Sequence, residues 1–467
     1  MSEIVLKKNQ PIHIIGGGGV GMSAVGLLLM NGGYQVSASD KNGGKYLQKL
    51  SEKGAFTWTG SIPENIPRGA IIFYSSAIPE NDPERLWAVD QKLEIHSRHG
   101  LLKSLSAQYY TIAVSGTHGK TTTTGWIAFL LEKAGYDPNA IVGGTLVQWN
   151  SNVRLGNGEM QNMPVLVIEA DESDGSFLDL TTKEIVITNI ELDHVDHYHN
   201  LIEVEKNFHK FIRNCENNGG IFFPSHEVQN FMNPDLNSSE KIYEINRKIK
   251  INEEKHALVF SDSRKDITFK VGLQGLHNLW NAFAVLTFGL YHDIPVETIQ
   301  ESLFEFAGVE RRMQTLLVLS NSLQSVISVM DDYAHHPTEI KMVLETLMKT
   351  GKKIVVVWEP HRISRLLRFN DEFRQVFEKL GLKKIFLMNV FDAAGERSKP
   401  EFASFELIWE EWKKSAQGVI FQKNEMDELL NLVLDQKEDT TIVFLGAGVS
   451  SDFAQSFAGL LAKKKVV

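Results

Sequence analysis

The sequence predicts an α/β protein of three domains. Three observations carry that expectation. The chain has 467 residues, and at about 100–200 residues per domain this makes room for two to four, most simply three. Apolar strand-like runs alternate with helical stretches, the pattern of parallel sheets with crossover connections. The alternation restarts near residues 107 and 312, dividing the chain into 1–107, 108–312 and 313–467.

The first segment opens with a strand at Ile12–Ile15, then glycines, then an apolar helix from Val20 to Met30. The loop Gly16-Gly-Gly18-Gly19-Val-Gly21 matches G-x-G-x-x-G between a strand and a helix. Glycine lets the backbone approach a diphosphate, and the helix start offers free N–H groups. A second strand, Tyr34–Ala38, ends at Ser39-Asp40, where an acidic residue can hold a ribose hydroxyl. This is a Rossmann-like arrangement. The loop alone does not distinguish NAD from another diphosphate-linked nucleotide. A third strand, Ala70–Tyr74, runs into Ser75-Ser76-Ala77.

The second segment starts with a strand at Tyr110–Ser115. Gly116-Thr117-His118-Gly119-Lys120-Thr121-Thr122 follows, then a helix to about Ala134. The loop resembles a P-loop, although Val114 stands where the usual spacing has glycine. Its amides would cradle phosphates, Lys120 would offset their charge, and Thr121 would reach Mg²⁺. The strand Val165–Ile168 leads into Glu169-Ala-Asp171-Glu172-Ser-Asp174. The strand Ile185–Thr188 leads into Asn189-Ile-Glu191-Leu-Asp193-His194. Carboxylates and a histidine at strand C-termini, beside a P-loop, suit a magnesium nucleotide. Residues 217–269 are polar and mixed, consistent with hairpins or an insertion. A helix follows over Leu279–Leu290, and Asn278 and Asn281 share a face at its start. They could present a donor and an acceptor to an adenine edge.

The third segment has strands at Ser325–Met330, Ile354–Trp358, Lys384–Met388 and Thr441–Leu445, with a helix at Thr338–Lys349. It is again Rossmann-like. Asp331 and Asp332 follow its first strand, where ligands bind in such sheets. His335, His336, His361, Arg362 and Arg365 add positive charge, and arginine forks suit an amino-acid carboxylate. The late Gly446-Ala-Gly448 reads as a structural turn.

Composition narrows the function. The chain is 43% hydrophobic and 23% charged, an ordinary globular mixture that excludes disorder and collagen. The net charge of -10 disfavours a sequence-blind nucleic-acid binder, which needs a broad basic field. Anionic small molecules stay open, because one basic cleft can sit on an acidic body. The single cysteine, Cys215, permits no intramolecular disulfide and fits a reducing compartment. No run approaches about 18 apolar residues, and the start lacks a signal-peptide core. A soluble, cytoplasmic protein with no membrane or nucleic-acid partner is expected, as a monomer or a homodimer.

The motifs together resemble the Mur ligase family, the ATP-dependent amide-forming enzymes of peptidoglycan precursor synthesis. The resemblance rests on Gly116-Thr-His-Gly-Lys-Thr-Thr-Thr-Thr124, Glu169 to Asp174 and Asn189 to His194. It continues through Gly275-Leu-His-Asn278-Leu-Trp-Asn281, Arg311-Arg312 and Asp331-Asp-Tyr-Ala-His335-His336-Pro-Thr-Glu339. The first loop, Tyr74-Ser75-Ser76-Ala77-Ile78 and Glu359-Pro-His361-Arg362-Ile-Ser-Arg365 favour the branch that joins L-alanine to UDP-N-acetylmuramate. His209 stands where other branches carry a carbamylated lysine.

The resemblance implies that Gly16, Gly18, Gly19, Gly21, Ser39, Asp40, Ser75, Ser76, Ala77 and Arg98 bind the UDP-sugar rather than NAD. It implies ATP at Gly116 to Thr122, Asn278, Asn281 and Asp332, and Mg²⁺ at Thr121, Glu172 and His194. Lys120, Glu172, His194 and Arg312 would act in catalysis, with Arg311 as the alternative arginine at the γ-phosphate. His335, His361, Arg362 and Arg365 would line the amino-acid site. A ligase adding a whole tripeptide is the nearest rival. A nucleotide-sensing regulatory module and a small-molecule kinase are more distant ones.

Overall fold

The computed structural model describes the whole chain except residues 1–3, 5, 76, 174, 195–196, 216–219, 224–239, 263–264, 383–384, 393–394, 401–402 and 465–467. Ser76 and Asp174 therefore lie outside the described residues, as does the start of the expected strand at 384.

The first sheet contains β1 (Ile12–Ile15), β2 (Val36–Asp40), β3 (Phe56–Thr59), β4 (Ile71–Tyr74) and β5 (Ile95–Ser97). Its order is β3-β2-β1-β4-β5, parallel throughout. All four residues of β1 are buried, as suits a central strand covered on both faces. The helix Val20–Asn31 follows the glycine loop. β2 begins two residues later than the sequence suggests. The Tyr34 N–H donates to Leu29 O at 3.0 Å, so the helix's C-terminal turn still holds Tyr34.

The second sheet contains β6 (Tyr110–Ser115), β7 (Asn139–Leu146), β8 (Ser151–Arg154), β9 (Glu159–Met160), β10 (Met163–Glu169), β11 (Glu184–Ile187) and β12 (Ile221–Phe222). The order is β12-β11-β6-β10-β7-β8, with β9 paired to β10. Only β8 and β9 run antiparallel to their neighbours. The helix Lys120–Lys133 is buried from Thr122 to Leu131, so it needs cover on every side. Part of that cover is Phe306, stacked on Trp126 at 4.9 Å, and the Trp126 indole N–H donates to Ser302 O. A small antiparallel sheet, β13 (Ile249–Asn252), β14 (Ala257–Ser261) and β15 (Asp266–Lys270), supplies the hairpins expected in the 217–269 stretch.

The third sheet contains β16 (Gln314–Ser320), β17 (Val326–Asp332), β18 (Lys353–Trp358), β19 (Phe386–Met388), β20 (Gly418–Ile420) and β21 (Thr440–Leu445). The order is β16-β17-β21-β18-β19-β20, parallel except for β16. Alternate residues of β18 serve opposite faces, as the pleat requires. Val356 and Trp358 join a core with Phe373 and Trp412, whereas Val355 and Val357 join one with Phe444 and Phe457.

The chain forms two compact units. The first comprises 1–191, 201–273 and 278–308, with the first two large sheets and the small one. The second comprises 192–200, 274–277 and 309–467, with the third large sheet. Inside the first unit, the Asn31 amide donates to Asn139 Oδ1 and Gly156 O, both at 3.2 Å, tying the first helix to the second sheet. Among the described residues, no helix is long and apolar enough to cross a membrane.

Candidate active site

The second glycine loop is clamped from below by the exit of β11. Asn189 Oδ1 accepts the His118 N–H at 2.8 Å, and Asn189 Nδ2 donates to His118 O at 2.9 Å. Thr188 Oγ1 donates to His118 O at 2.6 Å. Thr117 Oγ1 accepts the Glu191 N–H at 2.8 Å and donates to Glu191 O at 3.1 Å. The His118 ring lies 3.5 Å from the Glu191 carboxylate. Gly116 has φ +130°, and a Cβ there would lie 2.1 Å from Thr188 Oγ1, so the loop admits no side chain at that point. Asn281 packs against Gly119 and donates to Asn278 Oδ1 at 3.2 Å; both asparagines are buried.

Lys120, Thr121 and two carboxylates meet at this loop. Lys120 Nζ donates to Gly116 O at 2.7 Å and to Thr117 O at 3.1 Å, and pairs with Glu172 at 2.9 Å. Burial alone would depress its pKa, but Glu172 and Asp171 outweigh burial and hold it above the usual lysine range. Glu172 is 2% exposed. Burial pushes its carboxyl up to about 7, against the pull of Lys120. Glu169, the last residue of β10, accepts Thr121 Oγ1 at 3.0 Å and the Gly143 N–H at 2.7 Å. Burial raises its pKa too, with Lys120 opposing.

This geometry gives the two glutamates different partners. Glu172 is the partner of Lys120, and Glu169 is the carboxylate beside the Thr121 hydroxyl. Glu169 stood among the carboxylates read as suiting magnesium but was not one of the residues singled out to hold it. Its signal is positional, since it pairs in register with Val114, two residues before the loop glycine. A threonine hydroxyl and a carboxylate are hard oxygen donors, the set that suits Mg²⁺.

At the first glycine loop, Asp40 accepts the Gly18 and Asn42 N–H groups, each at 3.0 Å. The Arg98 guanidinium lies against Gly21. Gly19 N–H donates to Gly16 O at 3.3 Å, and Ser75 N–H to Ile15 O at 3.1 Å; Ala77 N–H reaches Ser75 Oγ at 3.4 Å. Ser39 is different. Its hydroxyl donates to the buried Glu84, which also accepts the Trp58 indole at 2.8 Å and the Ile62 N–H at 2.9 Å. Sequence reading gave no sign of Glu84, because its partners are distant in the chain.

The second unit holds the remaining candidates. Asp193 and Arg365 form a buried ion pair, with Nε at 3.1 Å and Nη2 at 2.8 Å from one carboxylate oxygen. Burial would raise the Asp193 pKa, but Arg365 and His194 hold it well below the usual range. His194 follows with φ +50°, and its N–H donates to Asp193 at 2.7 Å. Asp332 accepts the Met313 and Ala334 N–H groups, each at 2.7 Å, and burial lifts its pKa to about 6. Arg312 lies 3.5 Å from Glu339 and over the Tyr333 ring. Arg311 is engaged elsewhere, donating to Gly446 O at 2.8 Å and lying 3.5 Å from Asp331.

His335 and His361 do not supply the positive charge that the sequence suggested. Burial first, then Arg365, drives the His335 pKa down to about 3, although Glu339 lies 3.3 Å away. Burial, Arg365 and Arg362 bring His361 to about 4. Both are neutral at neutral pH, so this charge comes from the arginines. His336 caps the helix Pro337–Met348, its ring accepting the Thr338 N–H while Glu339 accepts the His336 N–H. His194, Arg311, Met313 and Arg362 all carry positive φ, a strain that non-glycine residues tend to keep at functional sites.

Three family models match this chain. They are the Mur ligase family catalytic domain over residues 11–110, the Mur ligase middle domain over 114–289, and the Mur ligase glutamate ligase domain over 311–448. A UDP-N-acetylmuramate–L-alanine ligase of Aquifex aeolicus is 35% identical over 462 residues, covering 95% of this chain and 96% of that protein. Among solved structures, the UDP-N-acetylmuramate-alanine ligase of Thermotoga maritima has the same fold. Its TM-score is 0.73 at 24% identity, over 98% of this chain and 100% of that one. A murein peptide ligase of Psychrobacter arcticus follows at TM-score 0.63 and 20% identity, over 97% and 99% of the two chains. The three α/β sheets and the full-length likeness define an ATP-dependent, amide-forming ligase. The chain belongs to the Mur ligase family.

Proposed function

We propose that this enzyme joins L-alanine to the lactyl carboxylate of UDP-N-acetylmuramate, cleaving ATP to ADP and phosphate. The reading is carried by Lys120, Thr121, Glu169 and Glu172 converging on one phosphate-type loop, in a chain whose full-length relative bears that activity's name. Residues 1–107 would take the UDP-sugar, 108–312 the ATP and 313–467 the amino acid. The work is cytoplasmic.

A carboxylate resists attack by an amine, so it must first be activated. The lactyl oxygen attacks the γ-phosphorus, ADP leaves, and an acyl phosphate forms. The neutral amine then adds to the acyl carbon. The tetrahedral intermediate loses phosphate and a proton, leaving the amide. Lys120 supplies positive charge where two anions meet. The amides of Thr117 and His118 are held by Asn189, so the N–H groups at the start of the helix Lys120–Lys133 orient the phosphates. Thr121 and Glu169 would hold Mg²⁺, which when bound offsets phosphate charge. Glu172 holds Lys120. Arg362 and Arg365 receive the amino-acid carboxylate, and His335 and His361 line its site in neutral form.

The test is phosphate release from ATP with UDP-N-acetylmuramate, adding each amine in turn. Release that depends on L-alanine supports the reading. Release that instead depends on an L-alanyl-γ-D-glutamyl tripeptide transfers the chain to the tripeptide-adding ligases. Phosphorylated sugar without amide would make it a kinase. Lys120→Ala should lower kcat by about 10²–10³-fold, the cost of one lost stabiliser of developing charge.

A further inference from the structure

The late glycine turn has a function that the reaction scheme leaves unused. Gly446 to Gly448 follows β21, and the helix Ser450–Lys464 starts behind it. A strand, glycines and a helix start normally present free N–H groups to a phosphate. Here they are already occupied. The buried Glu359 carboxylate accepts from Gly448 N at 3.0 Å, Val449 N at 2.9 Å and Ser450 N at 3.1 Å. Its own N–H donates to Leu445 O at 2.8 Å. Its backbone and side chain are thus both fixed to one turn.

Glu359 lies two residues before His361 and three before Arg362. The segment is also held on its other side. Phe391 N donates to Pro360 O at 2.8 Å, and Arg362 N donates to Phe391 O at 2.9 Å. The Phe391 ring stacks on His361 at 5.3 Å and 11°. Gly448 closes the arrangement, since a Cβ there would lie 2.5 Å from the Phe391 ring. Arg362 has φ +68°, a conformation that needs its surroundings to enforce it.

We propose that Glu359, seated in the Gly446–Ser450 turn, is a positioning residue that sets His361 and Arg362 for the amino-acid substrate. The carboxylate takes the place that a phosphate would fill in a binding loop of this shape. The turn therefore binds the chain's own side chain and no nucleotide. The inference rests on the reading that His361 and Arg362 face the amine substrate.

The experiment compares Glu359→Ala, Glu359→Gln, His361→Ala and Arg362→Ala by steady-state kinetics for all three substrates. Expected for Glu359→Ala is a KM for L-alanine raised about tenfold, with KM for ATP and for UDP-N-acetylmuramate within about twofold, since small misplacements are costly only to the ligand affected. Glu359→Gln keeps one acceptor oxygen and should recover most of the loss. If His361→Ala and Arg362→Ala raise the L-alanine KM while Glu359→Ala does not, the positioning role is overturned and the site reading stands. If none of the four moves that KM, the site reading falls with it. If all three KM values rise together in Glu359→Ala and Gln rescues none, the role is general folding rather than positioning. Should Glu359→Ala fail to fold, Glu359→Asp takes its place, because its carboxylate is one methylene too short to reach the same three N–H groups; an unchanged L-alanine KM in that variant overturns the proposal.

Discussion

Glu169 and Glu172 stand three residues apart in one motif, yet their partners differ. Glu169 touches the Thr121 hydroxyl, and Glu172 touches the Lys120 ammonium. Replacing each by glutamine should therefore give different kinetics. Glu169→Gln is expected to raise the Mg²⁺ concentration for half-maximal activity by at least about tenfold, because an uncharged amide is a poor ligand for a hard cation. Glu172→Gln should leave that concentration within about twofold. A magnesium titration of the two variants checks the assignment, and equal shifts would reverse it. The motif was legible in the sequence, but the division of contacts within it was not. That division depends on which carboxylate ends β10, and on contacts to residues about fifty positions away.

At the scale of elements, the parts best read from sequence were those buried on both faces. Tyr110–Ser115 was found with its bounds correct, because a continuous apolar run has few other uses. β8 was missed, since Ser151-Asn-Val-Arg154 shows no alternation. β16 was missed as an edge strand that is half-exposed and antiparallel in a sheet read as parallel. The helix Pro337–Met348 was found, but the capping role of His336 was not read from the sequence. His336→Ala removes one arm of the capping box and should cost about 1 kcal/mol. Urea unfolding at neutral pH checks this, and an unchanged midpoint would remove His336 from its capping role.

For the whole molecule, acid titration sets two kinds of group against each other. His335 and His361 have folded pKa values of about 3 and 4, below the ordinary 6.5. As pH falls below 6.5 the unfolded chain gains their protons first, so their contribution lowers stability. Glu172 and Asp332 have folded values of about 7 and 6, above the ordinary 4.5 and 3.8. As pH falls from 7 the folded protein gains those protons first, so their contribution raises stability. Each group acts with a slope of up to about 1.4 kcal/mol per pH unit. Between about pH 6 and 4.5, His335→Gln should gain stability relative to wild type on acidification, and Glu172→Gln should lose it. Urea midpoints at several pH values test the pair, and slopes of the same sign would contradict these environments.

The Lys120–Glu172 contact also affects how a lysine replacement must be read. With Lys120 gone, Glu172 stays buried without the ammonium that holds its pKa down. At pH 8 it should then take up a proton that it lacks in the wild type. The substitution deletes one positive charge and the uptake restores part of it. The protein's electrophoretic charge should therefore change by less than one full unit at pH 8. In Lys120→Ala combined with Glu172→Gln, the two ionised side chains leave together, so the charge should match wild type. An assay on the single variant mixes two losses, the phosphate's cation and an ionised carboxylate. Comparing the single and double variants separates them.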